Sequence, residues 1–235
     1  MTYIEIIKKL KSLKEQGYIS SLRRGSTGIG YTLETKLGLN ETNISVPDIG
    51  GRVELKATRR NSSSLITLFT FNRAVWQLPQ KEIIENYGYI DENGRKSLYN
   101  TVWSKTQNSQ GLSIQVDRDN HRLNLIHGRN DVLASWDIYV LVSKLISKLG
   151  KVLFVIADSR FDKNNIEEFH FNDACLLIEP TAQSFIKALE DSIVCIDIRM
   201  HLKETSNVRN HGTGLRIKEC DLPVLFEVKE DGQLR

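Results

Sequence analysis

Cysteine, proline and long apolar runs are all scarce in this chain of 235 residues. The three cysteines, Cys175, Cys195 and Cys220, are odd in number and scattered, with no C-x-x-C spacing. A disulfide framework and a structural zinc site are therefore disfavoured, and reduced cytosolic thiols are expected. Only four prolines punctuate the chain, and no internal repeat or low-complexity stretch is present. The longest strictly apolar run, Val152 to Ala157, falls far short of the roughly 20 residues needed to cross a bilayer. No basic-then-apolar leader opens the sequence, so secretion by a standard signal is not expected. A strong excess of one charge is lacking too: 32 Lys and Arg face 29 Asp and Glu, for a net +3 and a pI near 8.7. Such a balance permits a nucleic-acid partner without demanding one.

What is present is ordinary for a soluble globular protein: 40% hydrophobic and 26% charged residues. The length fits one large domain or two small ones. Basic residues gather locally at Arg23–Arg24, at Arg59–Arg60 and along Arg199, Lys203, Arg209, Arg216 and Lys218, with acid at Glu227, Glu230 and Asp231. Taken alone, such groupings are most simply a solvated face.

Residues 3–16 place Ile4, Ile7, Leu10 and Leu13 at threefold spacing, which predicts an amphipathic helix closed by Gly17. The Gly25–Gly30 segment reads as a flexible loop before a second helix, Tyr31 to Leu37, ended at Gly38. After a turn-rich stretch from Asn40 to Gly51, Arg52–Thr58 and Ser64–Thr70 read as two neighbouring strands with Asn61-Ser62-Ser63 between them. Leu112–Val116 and Arg122–Ile126 suggest a hairpin, Asp137–Lys148 a helix ended by Gly150, and Val152–Ala157 an apolar strand. Further strands are expected at Glu168–Glu179, Ser192–Met200, Gly214–Ile217 and Val224–Val228, with a helix at Ala182–Leu189. This mixture predicts an α/β or α+β fold around a central sheet, as one catalytic core with a second lobe of unfixed boundary.

The segment Pro47-Asp48-Ile49-Gly50-Gly51-Arg52-Val53-Glu54-Leu55-Lys56 carries the chemistry. On a strand, Glu54 and Lys56 share one face while Val53 and Leu55 share the other. Asp48, in the preceding turn, can fold back beside Glu54. Two carboxylates and the main-chain carbonyl of Leu55 make an oxygen-rich site suited to Mg²⁺, which keeps several of its waters. A metal there polarises a phosphate and acidifies a bound water, and Lys56 can hold that water or stabilise developing charge. Glu34, on the short helix after the glycine loop, is a candidate third carboxylate. The bland alternative is the wet face of an amphipathic strand. A dinucleotide-binding reading of the glycine loop is disfavoured: the glycines run G-x-x-G-x-G, and Asp48 precedes the second strand.

Several blocks in order resemble the MvaI/BcnI family of type II restriction endonucleases. They are Gly28-Ile29-Gly30-Tyr31-Thr32-Leu33-Glu34, Pro47-Asp48, Val53-Glu54-Leu55-Lys56, Leu65-Ile66-Thr67-Leu68-Phe69-Thr70, Trp136-Asp137, Phe169-His170-Phe171, Val194-Cys195-Ile196-Asp197-Ile198-Arg199 and His211-Gly212-Thr213-Gly214-Leu215-Arg216-Ile217. The first three are shared more loosely with the mismatch-repair nickase MutH. The resemblance implies a PD-(D/E)XK core, MutH-like, with a central mixed β-sheet flanked by helices. It also implies a second DNA-recognition lobe, the two lobes of one domain over 1–235 forming a DNA-binding cleft. By that likeness Asp48, Glu54 and the Leu55 carbonyl bind Mg²⁺ (Mn²⁺ as a substitute), Lys56 is the catalytic lysine and Glu34 the accessory acid.

Family members cut duplex DNA at five-base-pair CC-N-GG-type sites as monomers, so one active site must nick each strand in turn. A protecting DNA methyltransferase and a cytoplasmic location in a bacterial or archaeal host are implied as well. A MutH-like nickase and an inactive DNA-binding module are the alternatives. Arginine can donate a bidentate pair to guanine and aspartate can accept from cytosine N4, so Arg199 and Arg216 are the leading candidate base readers, with Asp197 and His211 behind them and Arg209 weaker still. The resemblance places Thr70 near the central base pair, leaning toward an A·T centre (CCWGG) over a G·C one (CCSGG). Arg23, Arg24, Arg59 and Arg60 are candidate phosphate contacts, which position a duplex without reading it. His121, His127, His170 and His201 read as structural or solvent residues, and Trp76, Trp103 and Trp136 as core.

Overall fold

The computed structural model describes residues 2–39, 46–129 and 131–231, so the first half of the turn-rich 40–51 stretch lies outside the described residues. In chain order the first elements are α1 (Tyr3–Glu15), β1 (Ile19–Ser20), α2 (Gly28–Leu37) and β2 (Glu54–Arg59). There follow β3 (Leu65–Phe71), β4 (Val75–Trp76), α3 (Gln80–Tyr87), β5 (Tyr89–Ile90) and β6 (Lys96–Val102). Next come β7 (Leu112–Asp117), β8 (Arg122–His127), β9 (Asp131–Asp137), α4 (Ile138–Leu149), β10 (Lys151–Phe161) and β11 (Glu167–Pro180). The chain continues through α5 (Ala182–Glu190), β12 (Val194–Leu202), β13 (Val208–Asn210), β14 (Thr213–Lys218), a 3₁₀ turn (Glu219–Leu225) and β15 (Phe226–Asp231).

These elements form two compact units. Unit 1 comprises Met1–Ser64, Ile146–Thr181 and Lys218–Arg235; unit 2 comprises Leu65–Leu145 and Ala182–Ile217. In unit 1 the sheet order is β1-β11-β10-β2, with β15 also paired to β11. Only the β10–β2 pairing is parallel, in register from Val152 opposite Glu54 to Ala157 opposite Arg59. β10 is buried from Val152 to Val155, as expected of a central strand covered on both faces. One apolar cluster joins Ile6, Leu10, Leu33, Leu55, Leu153, Val155, Phe169 and Phe171, so α1 and α2 cover the sheet that carries β2.

α1 begins at a capping box in which Thr2 and Glu5 satisfy each other's backbone N–H groups. Its buried face is Ile6, Ile7, Leu10 and Leu13, whereas Ile4 is 67% exposed. Strict threefold spacing drifts by about 60° per step against a 3.6-residue turn, so Ile4 ends on the side opposite Leu13. α2 starts at Gly28, three residues before the expected Tyr31. A Cβ at Gly28 would stand 2.2 Å from the Arg23 carbonyl oxygen, so the glycine serves a close approach at the helix start rather than a flexible loop.

Unit 2 holds a sheet ordered β3-β14-β12-β6-β5, with β13 on β12, and a meander ordered β4-β9-β8-β7. β2 and β3 are therefore not neighbours, as their sequence proximity suggested; they belong to different sheets in different units. β2 finds its partner in β10, whose residues Val152 to Val155 are buried. The hairpin at β7–β8 is formed as expected. Trp136 is buried to 1% and meets Trp76 edge-on at 6.4 Å between ring centroids.

Candidate active site and base-reading face

β2 is the end strand of its sheet, and its first residue, Glu54, is 3% exposed. That is not the exposure of a wet strand face. Glu54 Oε1 accepts a hydrogen bond from Lys56 Nζ at 2.8 Å, the two side chains sharing one face as the period of two requires. Lys148 Nζ stands 3.8 Å from the same oxygen. Glu54 Oε2 is buried and has no hydrogen-bonding partner.

Asp48 returns to the strand: its Oδ2 accepts from the Leu55 backbone N–H at 2.9 Å. In an extended strand a residue's N–H and C=O leave on the same side. The Leu55 carbonyl thus lies on the edge that faces Asp48, away from β10. The donor set available to a cation is the orphaned Glu54 Oε2, Asp48 and that carbonyl. No three His, Cys, Asp or Glu side chains converge among the described residues. Two carboxylates and one carbonyl suit Mg²⁺, which is held by few protein ligands and keeps its waters, better than they suit a fully protein-caged ion. An unpaired buried carboxylate oxygen is costly without a partner, and a cation there supplies one.

Glu34 lies half-buried on α2, which packs against β2, but it does not join Asp48 and Glu54 in a cluster of three. The basic residues of unit 1 occupy distinct settings. Arg59 donates to both oxygens of Glu167, at 2.5 and 2.7 Å, and to the carbonyls of Gly25 and Ser26. The Glu167 hydrogen bond holds its guanidinium above its ordinary pKa, against the effect of burial. Arg59 thereby ties the glycine loop to β11. Arg60 sits among Asp158, Asn172 and Asp173. Arg23 lies 3.8 Å over the Tyr31 ring, and Arg24 is exposed beside it.

In unit 2, register places Asp197 opposite both Thr101 of β6 and Gly214 of β14, with Arg199 opposite Tyr99 and Cys195 opposite Arg216. Ile196, Ile198 and Met200 point the other way into the core. One sheet face therefore presents Arg216, Asp197, Thr101, Arg199 and Tyr99 together. Asp197 accepts from Thr101 Oγ1 at 2.7 Å and from Arg216 Nη1 at 2.7 Å. Arg216 Nη2 donates to the Leu65 carbonyl at 2.6 Å, while its Nε is buried without a partner. Arg199 donates through Nε to the Gly212 carbonyl at 3.2 Å and through Nη2 to Thr70 Oγ1 at 2.9 Å.

Two glycines make room for that arrangement. A Cβ at Gly214 would stand 3.2 Å from Arg199 Nη2. Gly212, at φ +83°, passes so close to Asn72 and Thr70 that a Cβ would meet Asn72 Oδ1 at 1.7 Å. His211 and Arg209 are exposed on the neighbouring connection. His201 is buried to 8%, is bonded to Tyr99 Oη at 2.9 Å, and is held below the ordinary imidazole pKa by burial and then by Arg95.

The chain matches the model of the MvaI/BcnI restriction endonuclease family over residues 7–226. The chain belongs to the MvaI/BcnI family. It is a restriction endonuclease, a nuclease that acts on DNA. Its fold is similar to that of a solved restriction endonuclease MvaI–cognate DNA substrate complex, with TM-score 0.78 and 26% identity over 98% of both chains. Restriction endonuclease MvaI in the absence of DNA matches with TM-score 0.61 and 24% identity, again over 98% of both. A search of curated protein sequences returns no match.

For this MvaI/BcnI member, the mixed α+β architecture expected from the sequence is the one observed. The structure brings Asp48, Glu54, Leu55 and Lys56 together on one strand edge, and Asp197, Arg199, Arg216 and Thr70 onto one face of the other unit's sheet. Sequence reasoning missed Lys148 and Thr101. Thr101 lies on a strand too polar to stand out. Lys148 reaches Glu54 only because β10 runs parallel to β2 and begins level with it, which sets the last turn of α4 beside the first residue of β2. The only signal in the sequence was the order helix, Gly150, apolar strand.

Proposed function

We propose that this restriction endonuclease hydrolyses phosphodiester bonds in duplex DNA at a short pseudopalindromic site of the CC-N-GG type, CCWGG or CCSGG, using Mg²⁺, with Mn²⁺ able to replace it. The observation that carries the reading is Glu54: a buried carboxylate with one oxygen hydrogen-bonded to Lys56 and the other left open beside Asp48. Asp48, Glu54 and the Leu55 carbonyl hold the ion. When bound, Mg²⁺ polarises the scissile phosphate and lowers the pKa of a coordinated water. Lys56 Nζ, fixed by Glu54, donates toward the attacking water or toward the phosphate oxygens as charge develops. Glu34 acts as the accessory acid from α2.

Asp197, Arg199 and Arg216 read C·G pairs from the face of unit 2, with Thr70 near the central pair and His211 and Arg209 at the margin. In the free protein Asp197 accepts from Thr101 and Arg216, and Arg216 also donates to the Leu65 carbonyl, so both groups are held in place before they meet base edges. Arg23, Arg24, Arg59 and Arg60 are assigned to the DNA backbone; the tie to Glu167 makes Arg59 the one acting mainly by holding the glycine loop. The protein works as a monomer that nicks the two strands in succession, in the cytoplasm of a bacterial or archaeal host that also carries a DNA methyltransferase.

The experiment is cleavage of unmethylated plasmid with Mg²⁺, beside an EDTA control and Lys56→Ala. Discrete linear fragments, absent from both controls, are expected, and their ends give the site. Open circles alone would establish a MutH-like nickase instead. Binding without cutting across several plasmids would establish an inactive DNA-binding module.

A further inference from the structure

We infer that Lys148 is a second active-site lysine, whose ammonium binds the scissile phosphate opposite Lys56; the inference rests on the nuclease reading above. Glu54 Oε1 faces two ammonium groups, Lys56 at 2.8 Å and Lys148 at 3.8 Å, while Oε2 has no hydrogen-bonding partner. One lysine suffices to hold a carboxylate that is 3% exposed. Lys148 lies beyond hydrogen-bond length, and its side chain is 25% exposed against 4% for that of Glu54. Its ammonium is thus attracted to the carboxylate without being tied to it, on a side chain that is partly open to solvent.

Charge neutrality points the same way. Asp48 and Glu54 carry two negative charges and Lys56 and Lys148 two positive ones, so these four groups balance one another. A divalent cation on the two carboxylates leaves both ammoniums uncompensated. A phosphodiester with an attacking hydroxide brings back the two missing negative charges. Lys148 is then drawn from Glu54 to the phosphate, where it occupies the role a second metal ion has in two-metal nucleases. The place is built by the fold, since Lys148 lies in the last turn of α4 and β10, which follows, is fixed in register against β2. Beside it, Pro47, Gly51 and Arg52 of the loop carrying Asp48 face Ile146, Ser147 and Gly150 across an open hollow of roughly 350 Å³.

The test compares wild type, Lys148→Met, Lys148→Arg and Lys56→Met in three measurements. These are single-turnover cleavage at saturating Mg²⁺, duplex affinity in EDTA, and Mn²⁺ affinity of the DNA-free protein read from free Mn²⁺ by electron paramagnetic resonance. Lys148→Met is expected to cut about a hundredfold slower, the loss typical of one transition-state donor, and to bind the duplex more weakly. It is also expected to hold Mn²⁺ about tenfold tighter, because a like charge near the carboxylates is gone. Lys148→Arg should recover most of the rate.

A Lys148→Met rate within threefold of wild type would overturn the inference. So would slowed cutting with unchanged or weakened Mn²⁺ binding, which marks a role only in supporting Glu54. Should the Met variant fail to fold by circular dichroism, Lys148→Gln takes its place in the same comparison. If wild type itself does not cut, the nuclease reading falls. If wild type and Lys148→Met cut alike, only the second lysine does.

Discussion

Gly212→Ala is the substitution whose cost can be worked most directly from the structure. The residue sits at φ +83°, and a Cβ there would stand 1.7 Å from Asn72 Oδ1 and 2.7 Å from Thr70 Cγ2. Placing alanine in the left-handed region costs about 1–2 kcal/mol. Asn72 is exposed and can rotate away cheaply, but Thr70 and the loop must also give, so the total is about 2–3 kcal/mol. For a chain of this size that lowers the melting temperature of unit 2 by about 5–10 °C. A functional effect accompanies the thermal one, because the Gly212 carbonyl and Thr70 Oγ1 are two acceptors that orient Arg199. A misplaced bidentate arginine forfeits about 1–3 kcal/mol of base discrimination, roughly tenfold to a hundredfold. Calorimetry reads the first effect. Equilibrium binding in Ca²⁺ to the mapped site and to singly substituted duplexes reads the second. Asn72→Gly/Gly212→Ala should recover the contact part of the loss and leave the backbone part. A melting temperature within 1 °C of wild type, or discrimination within twofold, would refute the close approach at 212 and the positioning of Arg199 through it.

Three further outcomes are expected of the same protein. Hydrogen bonds from Lys187 and then Lys105 hold the Asp191 carboxyl down at about 2 from its ordinary 3.8. Between those values the folded state binds fewer protons than the unfolded one, so this group's stabilisation is complete above pH 4 and fades as pH falls toward 2; urea titrations of Asp191→Asn across that range should show a shallower acid slope than wild type. Cys195 is fully buried with its thiol pushed up to about 12, so iodoacetamide with mass-spectrometric mapping should find the exposed Cys220 modified first and Cys195 only after unfolding. Glu167→Ala leaves Arg59 half-buried without its carboxylate, both side chains being 16% exposed in the pair, and should cost about 1–3 kcal/mol in denaturant unfolding, less than a fully buried pair would.

The strand proposed to carry catalysis was legible because it obeys a local rule. Glu54 and Lys56 are two apart on one face, and the Asp48 turn returns over the short distance its glycines allow. The core helices were legible at their centres and misread at their edges, as Ile4 and the start of α2 show, since neither the angular drift of the pattern nor the contact of Gly28 with the Arg23 carbonyl is a property of spacing. The pairing of β2 was not legible at all. Nothing near residue 60 says that the next strand joins a different sheet, and the true partner lies beyond the whole of 65–145. Lys148 stayed hidden for the same reason: its nearness to Glu54 is a consequence of register between distant strands. The Asp197–Arg216 bond needed the β12–β14 register, although the chemistry of each residue was plain from its type.

The interleaving of the two units along the chain bears on when the enzyme first becomes dangerous to the cell that makes it. β2 leaves the ribosome early but lacks its parallel partner until β10 has followed, and β11 lacks β15 until the chain is nearly done. By then every strand of the β3-β14-β12-β6-β5 sheet has been synthesised. Long-range pairing of this kind forms late and slowly. The sheet that carries Glu54 and Lys56 is therefore completed by β15 only after β12, β13 and β14 have all been made.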